Sequence, residues 1–371
     1  MSAETRPARR RWGLPLLVGV VALVAGVVGG VIAYAIHGST SSASGSRGAT
    51  CAVTGVANKV LPSVVTISVM GPSSSSGQAT GGTGSGEVIR SSGYILTNNH
   101  VIAAAASGGS ITVLFNDGKT TPATLVGRDP LTDLAVIKVN GQSSLKPVSL
   151  GSSSSVKVGE PVVALGAPLG LSSTVTSGIV SALDRTIQVP GESSAQSALL
   201  VDSIQTDAAI NPGNSGGVLS NCGGQMIGVP SAGATVPTEG GGSSAGNIGL
   251  GFAIPVNLAK TVSDEIISTG NVTHSFFGLL AEPVRASGSV DASVAGLLVT
   301  NVIAGGPAAH AGLRADDLII SINGDRATDT TQLVAISLTR RPGDRVELGY
   351  ERNGQRHTAT VTLGRQPSTG S

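Results

Sequence analysis

The sequence predicts a mostly β protein, in which a large strand-rich unit and a smaller α+β unit follow one membrane-spanning helix. Three observations support this fold class. Residues 13–36 are apolar and uncharged, many short Val-, Ile- and Leu-rich runs follow between Gly, Ser, Asn and Pro clusters, and the pattern changes near residue 257. Short apolar runs at this spacing are typical of β-sandwiches and barrels. A chain of 371 residues has room for two or three domains.

The composition argues against several classes of function. Only 12% of the residues are charged and the formal net charge is +1, so no basic surface for nucleic acid is expected. The sequence has no His, Cys, Asp and Glu cluster with metal-ligand spacing, and no GxxxxGK[ST] or GxGxxG motif. We therefore expect neither a metal nor another cofactor.

The first 36 residues have the pattern of a membrane anchor. A basic tail at 1–12 precedes the apolar run at 13–36. As a helix, this run would span about 36 Å, more than the ~30 Å hydrocarbon core of a bilayer. Arginines on its N-terminal side place the tail in the cytoplasm and the rest of the chain outside it. Ala33-Tyr34-Ala35 has the form of a cleavage site, but the run is longer than a usual signal-peptide h-region, which favours an uncleaved anchor.

A flexible linker at 37–50 leads into a strand-rich unit at 51–270. An Asp-Gly hairpin turn is predicted at 115–119. Two polar stretches, 71–86 and 231–249, are predicted to be long loops, which in a compact domain are usually functional or disordered. The predicted strands are VVTISVM, GEVIR, YILTNN, ITVLF, LAVIKV, PVVALG, TVTSGIVSAL, MIGVPS and LGFAIP.

A helix at 257–270, with apolar residues at helical spacing and a final glycine, is expected to end this unit. The second unit covers 271–365 and is followed by a short tail at 366–371. It has strand-like runs and one further predicted helix, at 330–340, which Arg341-Pro342-Gly343 closes.

Residues 206–217, TDAAINPGNSGG, place Ser215 in a run where no regular helix or strand could continue. Surface loops often contain such residues without any function, so the serine needs partners before it indicates catalysis. Glycine at 213 permits a backbone conformation that other residues avoid. The backbone N–H groups of Gly213 and Ser215 could then point at a developing oxyanion.

Partners for Ser215 exist in the same unit. His100 is its one candidate histidine and lies at the end of the predicted strand YILTNN. Asp133 enters the buried run LAVIKV, whereas Asp129 precedes a proline and is read as a turn residue, so Asp133 is the better group to hold the imidazole. His100, Asp133 and Ser215 follow the chain order of chymotrypsin-type enzymes.

Four motifs resemble the HtrA/Deg family of trypsin-like serine proteases. They are GSGEVIRSSGYILTNNHVI, TDLAVIKV, TSGIVSALDR and TDAAINPGNSGG, and the segment that begins GLLVTNVIAGGPAAHAGL resembles the PDZ domain of that family. The resemblance covers roughly residues 55–365. It implies a chymotrypsin/trypsin-like double β-barrel with the site between the barrels, then a PDZ domain. It also implies a His100–Asp133–Ser215 triad, a regulatory Arg185 and a homotrimer.

The sequence departs from the family pattern in two places. Val218 stands where the family usually has proline after NSGG. Phe277-Gly278-Leu279 fits the carboxylate-binding loop of a PDZ domain, although the surrounding FFGLLAEP is unusual. The partners expected for this unit are C-terminal or unfolded peptide segments, bound as an added strand.

The residue six positions before the serine marks the base of the specificity pocket in trypsin-like enzymes, where enzymes that cut after Arg or Lys carry aspartate. Here that residue is Ala209, followed by Ile210. We therefore expect cleavage after small aliphatic residues.

Together these patterns predict a membrane-anchored extracytoplasmic serine endopeptidase that acts on misfolded or regulatory envelope proteins under PDZ control. The alternative is a protease-shaped chaperone or a PDZ peptide-binding scaffold with little catalysis. All three triad positions are occupied, which favours the protease.

Cys51 and Cys222 are the two cysteines of the chain, and both follow the apolar run. Outside the cytoplasm they could form a disulfide, since only one intramolecular pairing exists. Two unrelated free thiols are the other interpretation.

Overall fold

The structure, a computed structural model, describes residues 51–73, 79–106, 108–142, 145–167, 173–193, 196–233, 248–285 and 294–367. The predicted tail at 1–12, anchor at 13–36 and linker at 37–50 lie outside these residues. Within the described residues, no helix has the length and apolar character needed to cross a membrane.

The first part of the described chain is a closed six-stranded barrel with the strand order β1-β2-β3-β6-β5-β4. Helix α1 (Val53–Val60) precedes it, and the short helix α2 (Asn99–Ile102) follows β3. The strands are β1 (Val64–Ser73), β2 (Ala79–Arg90), β3 (Tyr94–Thr97), β4 (Ser110–Leu114), β5 (Thr120–Asp129) and β6 (Leu134–Val139).

A second closed barrel follows, with the order β10-β11-β12-β9-β8-β7. Helix α3 (Val256–Thr269) begins directly after its last strand and ends at Gly270, whose φ of 80° is the left-handed conformation that glycine adopts easily. The strands are β7 (Pro161–Gly166), β8 (Thr174–Ser193), β9 (Gln196–Thr206), β10 (Val218–Asn221), β11 (Met226–Gly233) and β12 (Gly251–Pro255).

The C-terminal unit is a five-membered sheet path, β14-β15-β16-β18-β19, with β17 paired to β16 and a separate β13–β20 pair. Helices α4 (Pro307–His310) and α5 (Thr331–Thr339) complete it. The strands are β13 (Ser275–Phe276), β14 (Leu279–Arg285), β15 (Val294–Val302), β16 (Leu318–Ile322), β17 (Asp325–Arg326), β18 (Arg345–Arg352), β19 (Gln355–Thr362) and β20 (Gly364–Arg365).

The hydrophobic residues form one core inside each barrel and a third core between them. The third core joins outward-facing residues of both barrels, such as Leu96 and Leu165, to the inner face of α3. The C-terminal unit has its own core and also touches the second barrel, where Leu338 of α5 packs on Leu199 and Val201 of β9. The two barrels are therefore packed against each other, and side chains from both can meet where they join.

Most predicted elements are present, and the differences concern loops and broken strands. The predicted helices appear as α3 and α5, and Phe115 and Lys119 close the predicted hairpin turn through a backbone hydrogen bond. The loops predicted at 71–86 and 231–249 were too long. Strand β1 continues to Ser73, β2 already begins at Ala79, and β11 continues to Gly233. Strands β5, β9 and β10 were not predicted. The pairings of β5 and β9 contain register shifts, β5 also contains a proline, and β10 has only four residues, so none shows a clear alternation of apolar and polar residues.

Candidate active site

Asp133 lies in the turn before β6, where its backbone adopts a φ of 57°. The Asp133 carbonyl accepts hydrogen bonds from two groups at the start of α2. They are the Asn98 side-chain amide, at 2.9 Å, and the Asn99 backbone N–H, at 3.1 Å. Left-handed backbone is costly for a residue other than glycine, and the surrounding hydrogen bonds stabilise it here. The side chain of Asp133 is thereby directed at His100.

His100 and Asp133 form a close pair. Nδ1 of His100 lies 3.0 and 2.9 Å from the two carboxylate oxygens, and the His100 backbone N–H donates to Oδ1 at 3.0 Å. The Asp133 side chain is 3% exposed, whereas that of His100 is 40% exposed. A buried carboxylate at Nδ1 fixes the tautomer in which Nε2 is free to accept a proton. The accessible face of the imidazole then meets the cleft.

Ser231 of β11 connects this pair to Ser215. Its hydroxyl donates to Asp133 Oδ2 at 2.5 Å, and its carbonyl accepts the Ser215 hydroxyl at 3.4 Å. Among the described residues, the Ser215 hydroxyl has no hydrogen bond to His100. The structure thus links His100, Asp133 and Ser215 through hydrogen bonds, with Ser231 as a fourth member that the sequence did not indicate.

The backbone around Ser215 has the shape expected for an oxyanion-binding loop. Gly213 has a φ of 101° and Gly216 a φ of 77°. A Cβ at Gly216 would lie 2.4 Å from the Ser85 carbonyl oxygen, so this close approach requires glycine. In the described part of the chain, no acceptor faces the N–H groups of Gly213 and Ser215. Both remain available to a ligand oxygen.

The predicted pocket residues lie next to this loop. The Ala209 carbonyl accepts hydrogen bonds from the Thr176 hydroxyl at 3.0 Å and the Asn214 side-chain amide at 3.2 Å. Ile210 is buried in the core of the second barrel. A Cβ at Gly251 would lie 2.5 Å from its Cγ1, so the two residues are packed together. Ile210 is thus part of the barrel core, and Ala209 is joined through its carbonyl to the loop that carries Ser215.

The two other predicted functional regions lie apart from the triad residues. Arg185, in β8, has an exposed side chain, and its carbonyl accepts the Ser203 hydroxyl at 2.7 Å. In the C-terminal unit, Gly278 has a φ of 73°, and the Phe277 and Gly278 carbonyls accept backbone hydrogen bonds from Ala308 and Ile303. Of the described groups, none accepts a hydrogen bond from the Phe277 or Gly278 N–H.

Three further features were not assigned from the sequence or were left open. Asp129, predicted to be a turn residue, does accept the Leu131 N–H at 3.3 Å, but it also lies 3.0 Å from Nε2 of the buried His274. Glu87 is fully buried and neither carboxyl oxygen has a partner among the described residues, so burial raises the pKa of its carboxyl well above the ordinary value. Cys51 and Cys222 are joined by a disulfide.

The described residues contain no group of three or more His, Cys, Asp or Glu side chains that could hold a metal ion. The site's chemistry rests on a hydroxyl, an imidazole, a carboxylate and two backbone N–H groups. This combination is suited to nucleophilic acyl transfer.

Comparison with known proteins gives a consistent result. Residues 84–229 match the trypsin-like peptidase domain and residues 268–363 match the PDZ domain. The serine protease PepD of Mycobacterium tuberculosis is 44% identical over 357 residues, which cover 94% of this chain and 73% of PepD. The periplasmic pH-dependent serine endoprotease DegQ of Escherichia coli is 36% identical, with 84% and 70% covered. A solved structure of the HtrA-type protease AlgW with a decapeptide has a TM-score of 0.64 and 33% identity, covering 85% of this chain and 99% of that one.

The two barrels, the PDZ unit and these matches define a trypsin-like serine protease with a PDZ domain. The chain belongs to the HtrA/Deg family of serine proteases. The resemblance stated from the sequence motifs is confirmed, as is the expectation of a serine endopeptidase.

Proposed function

We propose that the chain hydrolyses peptide bonds through a triad of His100, Asp133 and Ser215. One observation carries the proposal: the buried Asp133 carboxylate receives both His100 Nδ1 and the Ser231 hydroxyl, while the Ser231 carbonyl holds the Ser215 hydroxyl. A single carboxylate thus organises the base and, through one residue, the nucleophile.

In the proposed reaction the Ser215 hydroxyl first turns from the Ser231 carbonyl toward His100 Nε2. Oγ attacks the peptide carbonyl carbon as Nε2 takes its proton, and the same proton then passes to the departing amine. Water, deprotonated by His100, cleaves the acyl-enzyme and releases the acid product. Asp133 keeps the imidazole oriented and stabilises its protonated form during each step.

The N–H groups of Gly213 and Ser215 are the proposed oxyanion hole. No described residue accepts a hydrogen bond from them, and this and the left-handed backbone of Gly213 support the role. Losing one such donor costs about 2.7–4 kcal/mol of transition-state stabilisation in a comparable enzyme.

The proposed substrates are unfolded or C-terminal peptide segments of misfolded or regulatory envelope proteins. β14 is an edge strand of the PDZ sheet, so an extended peptide can pair with it, and the N–H groups of Phe277 and Gly278 suit its terminal carboxylate. Peptide occupancy would then shift the β8 segment around Arg185 toward its catalytic form. AlgW, the structural relative, was solved with a decapeptide.

The proposed location is extracytoplasmic, with residues 13–36 as a single-pass anchor and residues 1–12 in the cytoplasm. The charge pattern of the sequence supports this orientation, and relatives named as periplasmic endoproteases support the compartment. The domain limits of 51–270 and 271–365 and a homotrimeric assembly remain part of the same proposal.

Ser215→Ala tests the function directly. Hydrolysis of casein by the purified protein should fall by on the order of 10⁶ in kcat, as in other triad enzymes. Ser220→Ala is the control, because Ser220 is a buried serine of the same barrel whose hydroxyl donates to the carbonyls of Asn221 and Gln225. Retention of a tenth of the wild-type activity by Ser215→Ala would favour the scaffold alternative or another nucleophile.

A further inference from the structure

Ser85, in β2 of the first barrel, is bound to the loop of the second barrel that carries Ser215. The residue is fully buried. Its hydroxyl donates to the Gly213 carbonyl at 2.5 Å, and its N–H donates to the Ser215 carbonyl at 2.9 Å. The hydroxyl also accepts the Ala167 N–H at 2.8 Å. One residue therefore contacts both ends of the segment that contains the proposed oxyanion hole.

We propose that Ser85 is a positioning residue whose hydroxyl holds the Gly213 carbonyl and thereby keeps the Gly213 and Ser215 N–H groups directed at the oxyanion. This inference rests on the proposed function of Ser215. In the proposed function the first barrel supplies the base and the carboxylate. With Ser85 it would also help to form the oxyanion hole.

The geometry of three successive peptide groups explains why one hydroxyl matters. The peptides 212–213 and 214–215 carry the two N–H groups, and the peptide 213–214 between them carries the carbonyl that Ser85 binds. Because Gly213 lacks a side chain, its φ of 101° is one of several accessible backbone states. A hydrogen bond to the middle carbonyl limits rotation of that peptide, and both neighbouring N–H groups keep their direction.

Close packing supports the same role. A Cβ at Gly216 would lie 2.4 Å from the Ser85 carbonyl oxygen, and a Cβ at Gly166 would lie 3.0 Å from the Ser85 hydroxyl oxygen. Two glycines of the second barrel thus allow its loops to approach Ser85. The Ser85 carbonyl is held from its own barrel by the Thr97 hydroxyl at 2.7 Å. Every polar atom of Ser85 consequently has a fixed partner.

The role predicts a specific kinetic signature. Ser85→Ala removes the hydroxyl but keeps the backbone bond to Ser215. We expect kcat for a peptide substrate to fall about 10- to 100-fold, less than the full loss of one oxyanion donor, because the N–H groups are misdirected rather than absent. KM should stay within about two-fold, because ground-state binding uses these N–H groups less than the transition state does.

The experiment uses the full chain and two probes. A fluorophosphonate followed by mass spectrometry of the labelled peptide tests whether Ser215 is the nucleophile in the wild type. The second probe is a peptide boronic acid with a small aliphatic residue at boron, whose binding affinity reports on the oxyanion hole. Its affinity for the Ser85→Ala variant should be lower than for the wild type by the same factor as kcat. In the Ser215→Ala background, Ser85→Ala should leave the affinity for a substrate peptide unchanged.

Ser220→Ala controls for the loss of a buried hydroxyl and should lower the melting temperature similarly while retaining kcat and boronate affinity. If Ser85→Ala does not fold, Ser85→Cys keeps nearly the same volume with a weaker donor, and its kcat should fall while KM holds. If the wild type is active and labelled at Ser215, but the Ser85 variant keeps its kcat and its boronate affinity, the positioning role alone is overturned. An unlabelled wild type would overturn the proposed nucleophile, and the positioning role with it.

Discussion

His274 and Asp129 form a buried pair that joins the segment after α3 to the turn before β6. Nε2 of His274 lies 3.0 Å from both oxygens of Asp129, and the two side chains are only 8% and 4% exposed. Asp129 opens the turn that ends at Asp133, and its carboxylate also binds the Thr132 hydroxyl. The chain leading into the PDZ sheet is therefore attached to the turn that carries Asp133.

His274→Ala should lower the free energy of unfolding by about 3 kcal/mol. This is the cost of about 3 kcal/mol for removing one partner of a buried carboxylate, limited because Asp129 keeps the hydrogen bonds of Leu131 and Thr132. Arg356→Ala is the control, since it breaks the exposed pair with Glu351 and should cost less than about 1 kcal/mol. Urea denaturation of both variants provides the comparison. If both variants lose the same free energy of unfolding, the buried His274–Asp129 pair stabilises the fold no more than the exposed pair does.

Asp133→Asn should lower kcat about 10⁴-fold, because an amide at this position favours the wrong imidazole tautomer. Asp129→Asn, in the same turn, should reduce stability but leave kcat near the wild-type value at temperatures where the variant is folded. Steady-state kinetics with one peptide substrate and a thermal melt of each variant separate the two roles. Similar losses of kcat in both variants would contradict the assignment of Asp133 as the group that orients His100.

The sequence was sufficient to identify the mostly β protease and PDZ units and to propose the three triad candidates, because each depends on a local pattern. Ser215 lies in a glycine-rich turn, Asp133 precedes a buried strand, and His100 follows another strand. The distances between them in sequence are large, but the chain order of a known catalytic arrangement was available as a guide.

The supporting contacts had no such guide. Ser231 binds Asp133 across 98 positions, Ser85 binds Gly213 across 128, and His274 binds Asp129 across 145. Serine and histidine in these places fit ordinary strand and linker composition, so only barrel closure and the packing between barrels reveal their partners.

Glu87 should make the stability of the protein fall as the pH rises. Burial raises the pKa of its carboxyl, so above the ordinary carboxyl pKa the unfolded chain has lost this proton while the folded chain still holds it. Stability is complete below the unfolded-state pKa and declines by about 1.4 kcal/mol per pH unit up to the folded-state pKa.

Glu87→Gln removes the titrating group at similar volume, so its stability relative to the wild type should improve as the pH rises above the ordinary carboxyl pKa. Denaturation at several pH values measures this difference. Glu282→Gln, an exposed substitution in β14, should follow the wild-type pH trend. A constant difference between Glu87→Gln and the wild type across the range would refute the account.

Ala209, at the position where aspartate selects basic residues, and Ile210 beside it predict cleavage after small aliphatic residues such as Val, Ala and Ile. A fragment map of digested casein, determined by mass spectrometry, gives the residue before each cut. Ala209→Asp should shift the preference toward Lys and Arg, since a carboxylate at the pocket base selects basic side chains. Wild-type fragments that end mainly in Lys or Arg would exclude this specificity.

The last prediction concerns the Cys51–Cys222 disulfide, which joins the chain just before α1 to the turn after β10 across 171 positions. Helix α1 has a second link to this turn, because Lys59 Nζ donates to the Gly223 carbonyl at 2.5 Å. Its Val56 and Val60 side chains are buried in the core between the barrels. The disulfide therefore fastens an element that helps to close the interface in which the active site lies.

Replacing both cysteines by serine should lower the free energy of unfolding, by up to roughly 5 kcal/mol if loop entropy dominates, while kcat of the folded protein is retained. Lys59→Met is the control, because it removes the neighbouring exposed link and should cost less than about 1 kcal/mol. Thiol titration of the denatured wild type, purified without reductant, should find almost no free thiol before reduction and two afterwards. Two titratable thiols before reduction, or equal stability of the double variant and the wild type, would rule out a stabilising disulfide.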